Sequence, residues 1–252
     1  MMKRLTDVSY WEQSWWARQR PSRLRLYRDF DLETIHLLRD TAGAEFARVL
    51  PYLRHTFRYD VMGTDFSLGG CRLLRANLAL LGEEGGVVCE DLFACSLRAE
   101  TFDLAYSSGL IEHFEDTRAV VAEHVRLLKP GGRLVLIVPN LQGLQGRILK
   151  RLAPPLWARH HIFGPKELDE AVSSLGLEEV RSGYLGSFFI HVGRTDDWPG
   201  VRRWPAWLQF LVSGSIRVVN GLISFLFRLS PLRPHSRALS TGFYVAGVNP
   251  RT

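Results

Sequence analysis

The stretch Phe102–Asn140, FDLAYSSGLIEHFEDTRAVVAEHVRLLKPGGRLVLIVPN, decides the fold. FDLAYSSG is a short apolar run closed by small residues and reads as a buried strand. DTRAVVAEHVRLL has the spacing of a helix. KPGG is a turn, and GGRLVLIVPN is a strongly apolar strand.

The same alternation continues upstream. YDVMGTDF, from Tyr59, reads as a buried strand, GGCRLLRANLALLG as a helix closed by Gly82, and GVVCEDL as a second strand ending at an acid. Thr41–Arg58 is predicted as a helix with Phe46, Val49, Leu50 and Leu53 on one apolar face. Tyr10–Asp40 is helical in pattern, rich in aromatics and arginine and interrupted at Pro21. Downstream, FGPKELDEAVSSLGLEEVRSGYL suggests a helix and then a strand, and STGFYVAGVNP a terminal strand. Strands alternating with helices imply parallel pairing through right-handed crossovers, with helices on both faces. The expected class is therefore α/β: a doubly wound, mostly parallel Rossmann-like sheet with an N-terminal helical extension and a C-terminal amphipathic helix. At 252 residues one core with additions is expected. Its parts are a helical cap over 1–40, the core over 41–200, and over 201–252 an amphipathic helical insertion with a terminal strand that completes the core.

Composition excludes several classes. With 46% hydrophobic and 23% charged residues the chain is ordinary globular material, not disordered, collagen-like or coiled-coil. A net charge of +6 is compatible with an anionic partner. The arginines cluster over 18–28 and 194–237 among Trp and Leu, which reads as a spread excess rather than a dense basic run, so nucleic acid is disfavoured. Cys71, Cys89 and Cys95 are odd in number and lack CxxC spacing, as expected of reduced thiols in a cytosolic protein. The first residues contain no apolar run of signal-peptide length, and a cytoplasmic location is expected, with peripheral membrane association as an addition discussed below.

In open parallel sheets ligands bind outside the carboxyl ends of the strands, and three strands here end in ligand-capable groups. Asp65 could accept hydrogen bonds from both hydroxyls of a ribose. Asp91 could accept from an adenine amino group, with Leu92 and Phe93 offering an apolar surface. Ser107, Ser108 and Gly109 give a small, tight main chain that a ligand can approach. Solvated strand ends are the plainer alternative for each, and it is their coincidence that points to a site.

VMGTDFS, VVCEDLFACSLRAETFDLAYSSGLIEHFED and LLKPGGRLVLIVPN together resemble, in order and spacing, the class I S-adenosylmethionine-dependent methyltransferases of the type 11-like group. The resemblance implies S-adenosylmethionine as cofactor, its ribose on Asp65 with Phe66 against the adenine, Asp91 and Leu92 at the adenine end, and Ser107, Ser108 and Gly109 near the methionine portion. IEHFED would border the substrate cleft. His113, its titratable side chain able to act as a general base, would need to reach the proton of the nucleophile; a packed or helix-capping histidine is the other reading. The acceptor would be a small molecule or lipid-linked. Nothing in the sequence requires a metal.

The chain departs from that family where a GxGxG loop should precede the first helix of the core. The residues there are ETIHLLRDTAG. Either IHLL is the first strand and RDTAG a degenerate loop keeping only Gly43 for the cofactor, or DLETIHLLRD ends the N-terminal helix and the loop is missing. Helical spacing of Leu32, Ile35 and Leu38 favours the latter; the cost of leaving neighbouring strands unpaired favours the former. The second reading implies a catalytically impaired methyltransferase-fold protein, a pseudoenzyme or a membrane-surface interaction protein. A nicotinamide enzyme could use the same ribose acid, but its GxGxxG about twenty residues earlier is also missing.

Between Trp207 and Arg228 the polar residues Gln209, Ser213, Arg217, Asn220, Ser224 and Arg228 fall on one helical stripe, and Trp207, Phe210, Leu211, Val218, Leu222, Phe225 and Leu226 on the other face. Residues 204–229 are therefore expected to contact a membrane surface as an interfacial helix, or else to cap the core or line a lipophilic pocket.

Overall fold

The computed structural model describes residues 3–16, 21, 49–186, 188, 190, 198–201, 203–229 and 235–250. Gly43, the RDTAG loop and the pattern over 22–48 lie outside the described residues.

The strand GGRLVLIVPN anticipates is β4 (Leu128–Pro139), and it is the centre of the molecule. It is apolar along most of its length because it is covered on both sides. Leu134, Leu136 and Val138 point to one face, where they pack with Val120 and Val121 of helix α4 (Thr117–Arg126) and Leu168 and Val172 of α7 (Pro165–Ser173). Val135 and Ile137 point to the other, against Leu53 of α2 (Val49–Phe57). Strands buried on both faces lose the alternation of half-buried ones.

β4 pairs in parallel with β3 (Phe102–Ser108). On its other side lies β6 (Gly242–Val248), antiparallel, and beyond it β5 (Glu178–Leu185), also antiparallel to β6, giving the order β3-β4-β6-β5. The parallel expectation thus holds for the strands up to β4, and the last two ladders reverse it. β5 and β6 pair antiparallel although the long helix Ala206–Leu229 lies between them in the chain. The side-chain amides of Asn140 and Asn249 pin the returning strand: Asn140 donates to the carbonyls of Arg237 and Ser240 at 2.9 Å each, and Asn249 to those of Leu128 and Lys129 at 3.2 and 3.1 Å.

A separate parallel pair, β1 (Met62–Asp65) and β2 (Gly86–Cys89), is joined through α3 (Leu68–Leu80). Leu50, Val61, Leu74 and Leu78 form its small core. At Gly63 a Cβ would stand 2.3 Å from Leu74 Cδ2, so a larger residue would push the Leu74 side chain aside. Helix α1 (Val8–Trp16) lies against α3. The remaining helices are α5 (Leu144–Leu152), α6 (Pro154–Trp157) and the long α8 (Ala206–Leu229).

α8 turns Asn220 of its expected polar stripe inward, while Arg217 stays exposed. Asn220 is buried and its side chain exchanges two hydrogen bonds with the backbone of Ile190, at 2.8 and 2.9 Å, while Val212 and Ile216 pack on Leu149, Leu156 and Trp198. Gln209 and Ser213 bond to backbone carbonyls at 3.0 and 2.8 Å. The outer face carries Trp207 (63% exposed), Phe210 (69%), Val218 (63%), Leu222 (57%) and Phe225 (58%).

Candidate active site

Among the described residues β1 and β3 do not pair with each other, and between them opens a cavity of about 190 Å³. Met62, Thr64, Asp65 and Phe66 line it from β1 and Leu104 to Gly109 from β3, and Leu92 and His113 line it as well. Asp65, Phe66, Leu92, Ser107, Ser108, Gly109 and His113 are thereby brought to one space at the carboxyl ends of three strands, where crossover topology places ligands.

Asp65 ends β1 because Ser67 opens α3 behind it. The Ser67 side chain caps that helix, accepting from the Gly70 N–H at 3.2 Å, and its own N–H donates to Asp65 Oδ1 at 2.8 Å. Burial pushes the Asp65 carboxyl up to about 6, against the Ser67 hydrogen bond and helped by the nearby Glu12 carboxylate. A carboxylate short of donors on a cavity wall fits the two hydroxyls of a ribose. Glu12 itself accepts from the Ser67 hydroxyl at 2.9 Å and the Gly69 N–H at 3.1 Å, so α1 is tied to the first turn of α3.

Asp91 is placed differently from its neighbours. Its carboxylate caps the short 3-10 turn Leu92–Ala94, accepting from the Phe93 N–H at 3.0 Å, and forms an ion pair with Arg4. The cavity wall is made by Glu90 and Leu92 on either side of it. The Arg4 guanidinium lies 4.9 Å from the ring of Phe66, 6.0 Å from Phe93 and 5.4 Å from Phe114. Its segment is held by a bridge to Phe114 and by the Leu5 N–H, which donates to the His113 carbonyl at 2.8 Å. Arg4, Thr6 and Trp11 therefore line the cavity. Sequence reading missed them, as it missed Glu12: nothing local marks a residue whose partner lies many tens of positions away.

On the β3 side, Ser107 is 2% exposed. Gly109 has φ +72°, a left-handed conformation that glycine adopts without strain, and its N–H donates to the Ile137 carbonyl at 3.0 Å. This turn feeds the 3-10 turn Ile111–His113. His113 is 4% exposed, its Nδ1–H donating to the Arg159 carbonyl at 3.0 Å and the Trp11 indole standing edge-on at 4.9 Å. Burial, and then the neighbouring His160, push its pKa down to about 3. His113 is thus a packed, neutral imidazole that also lines the cavity.

Residues 41–136 match the methyltransferase domain family. The match spans less than half of the chain. The fold has counterparts among solved structures over more of the chain. A protein of Bacillus halodurans C-125 named as a candidate methyltransferase superposes with a TM-score of 0.53 at 14% identity, covering 87% of this chain and 99% of that one. Phosphoethanolamine N-methyltransferase 2 of Haemonchus contortus, solved with S-adenosyl-L-methionine, gives 0.55 at 12% identity over 87% of this chain and 53% of that one. A protein of Pyrococcus horikoshii OT3 gives 0.51 at 18% identity over 65% and 91%. At such identities the likeness is one of fold. No curated protein matches the chain in sequence.

Proposed function

We propose that the protein transfers a methyl group from S-adenosylmethionine to a small or lipid-linked acceptor. The observation that carries this reading is the cavity between β1 and β3, which Asp65, Phe66, Leu92 and Ser107–Gly109 line together. Asp65 would hold the ribose, Phe66 and Leu92 the adenine, and the Ser107–Gly109 main chain would border the methionine portion. The cofactor supplies a sulfonium methyl already activated for displacement. What remains for the chain is to align donor and acceptor and to exclude water, which is where positioning contributes most. His113, as a candidate general base, would be a weak one, because a neutral imidazole with so low a pKa holds a proton poorly.

Calorimetric titration of the full chain with S-adenosylmethionine tests this. The expected result is saturable binding, with Asp65→Asn weakening it by about 10- to 100-fold, the loss of one or two hydrogen bonds to a charged group. A folded protein that binds no cofactor overturns the reading in favour of a methyltransferase-fold protein without the reaction.

The partner reading rests on α8. Between Trp198 and Arg237 the sequence holds six arginines and no acid, while the other 26 of its 32 basic residues are matched by 26 acidic ones. The net charge of +6 is therefore concentrated in and around the helix that exposes its apolar face. That combination suits the surface of an anionic bilayer, where each nearby Arg contributes about 1 kcal/mol and the apolar side chains enter the headgroup boundary. By length and composition Ala206–Ile223 could cross a membrane. Arg217 within it would cost about 2.5 kcal/mol or more at mid-bilayer, and Asn220 is bonded to the body of the protein, so a helix lying in the plane fits better. A lipid-linked acceptor would then be presented at the same surface.

A further inference from the structure

Beyond methyl transfer, we propose that Glu112, His113 and His160 form a site for a divalent transition metal whose open coordination position faces the cavity. His160 is far in sequence from the other two: Glu112 and His113 belong to the 3-10 turn Ile111–His113, and His160 to the turn that follows α6. Packing brings their ligand atoms within 4.8 Å of one another, with the two imidazole rings 4.7 Å apart between centroids.

The hydrogen bonds around the cluster leave the ligand atoms available. A backbone carbonyl can only accept, so the 3.0 Å contact of His113 Nδ1 with the Arg159 carbonyl and the 2.8 Å contact of His160 Nδ1 with the Leu156 carbonyl put the ring proton on Nδ1 in both residues. Each Nε2 then carries a lone pair. An imidazole held by its far N–H is the arrangement that orients histidine toward a metal. The third ligand, Glu112, is 2% exposed, its Oε1 is 3.9 Å from His113 Nε2, too far for a hydrogen bond, and its Oε2 has no partner. A buried carboxyl oxygen left unpaired is costly, and a cation would remove that cost.

A divalent ion takes the carboxylate ionised and both imidazoles neutral. Tetrahedral bonds of about 2.0–2.2 Å to nitrogen and oxygen place donor atoms about 3.4 Å apart, so the three must draw together from separations of up to 4.8 Å. Two imidazoles and a carboxylate suit zinc first, then iron, cobalt or manganese. Three protein ligands leave at least one position for water or another ligand, as in catalytic rather than structural zinc sites. His113 lines the cavity, so that position opens onto it. A ligated His113 has no lone pair left to act as a general base, and the two roles exclude each other.

The test is a titration of tag-free, chelator-treated full-length protein with Co²⁺ and Zn²⁺, read by visible absorption and by metal content after desalting. One equivalent of Co²⁺ should give the intense d–d bands of a low-coordinate site, and Zn²⁺ should displace them. His160→Gln and Glu112→Gln should each weaken binding at least tenfold, with circular dichroism reporting that the variants are folded. A folded wild type that retains no metal, or that shows only the weak spectrum of hexa-aqua cobalt, overturns the proposal even if both variants unfold. Equal binding by wild type and folded His160→Gln overturns it as well. None of these readouts depends on S-adenosylmethionine.

Discussion

The two halves of the sheet are built to different standards. β3, β4, β6 and β5 form long ladders, with Leu134, Val135, Leu136, Phe243 and Val245 fully buried between helices. β1 and β2 are four residues each, rest on a core of four buried side chains, and face the cavity along one edge. The difference separates scaffold from site: the half that needs no ligand is complete, and the half that carries Asp65 borders open space.

The largest effect should come from the scaffold. Phe243→Ala removes a fully buried ring and should lower the free energy of unfolding in urea by about 3–5 kcal/mol. Leu74→Ala, in the small core, should cost about 2–3 kcal/mol, the lower part of the range for such truncations, because the side chain borders the cavity. Equal losses, or the reverse order, would mean that the two halves are not unequal in the way described.

Asp65 sharpens the contrast from the other side. Its carboxyl is raised to about 6 in the fold against 3.8 in an unfolded chain. The stability it contributes is therefore present below pH 3.8 and lost as the pH rises through 6. Asp65→Asn should be at least as stable as the wild type at pH 7.5 while binding S-adenosylmethionine about 10- to 100-fold more weakly. In the wild type, hydroxyl donors favour the ionised acid, so cofactor affinity should fall on acidification below about pH 6, and the Asn variant should lack that dependence. Calorimetry at pH 5, 6 and 7.5 checks this; parallel pH profiles for the two proteins would remove Asp65 from the ribose role.

What was legible in the sequence follows the same division. GGRLVLIVPN could be read as β4 because burial on both faces writes a continuous apolar run, and VMGTDFS could be read as a strand ending in an acid because period and chemistry coincide within a few residues. Arg4 on Asp91 and Glu12 on Ser67 could not, since each pairing is made between segments far apart in the chain. His160 beside Glu112 was hidden for the same reason, which is why no metal was expected. The antiparallel edge depends on where the chain re-enters the sheet, and neither β5 nor β6 carries that information in its own residues. For α8, periodicity separated polar from apolar positions but not inside from outside. Asn220 of its polar stripe turned inward because it satisfies the backbone of Ile190, a partner that hydrophobic spacing does not reveal.

That inversion yields the smallest expected effect on folding. In an ordinary surface helix, replacing two large apolar residues by serine costs several kcal/mol, because those residues make the core. Trp207 and Phe225 are 63% and 58% exposed, so Trp207→Ser with Phe225→Ser should change unfolding free energy by no more than about 0.5 kcal/mol for each site, measured in urea without lipid. The same pair should abolish most flotation with vesicles rich in phosphatidylglycerol, where the wild type should float, and neither protein should float with pure phosphatidylcholine in high salt. A double variant that unfolds easily would mean that α8 packs its apolar face against the protein. A stable variant that still floats would place the lipid-binding surface elsewhere, and a wild type that stays with the soluble fraction would leave another copy of the chain as the cover for that face, visible as a dimer that the two substitutions dissociate.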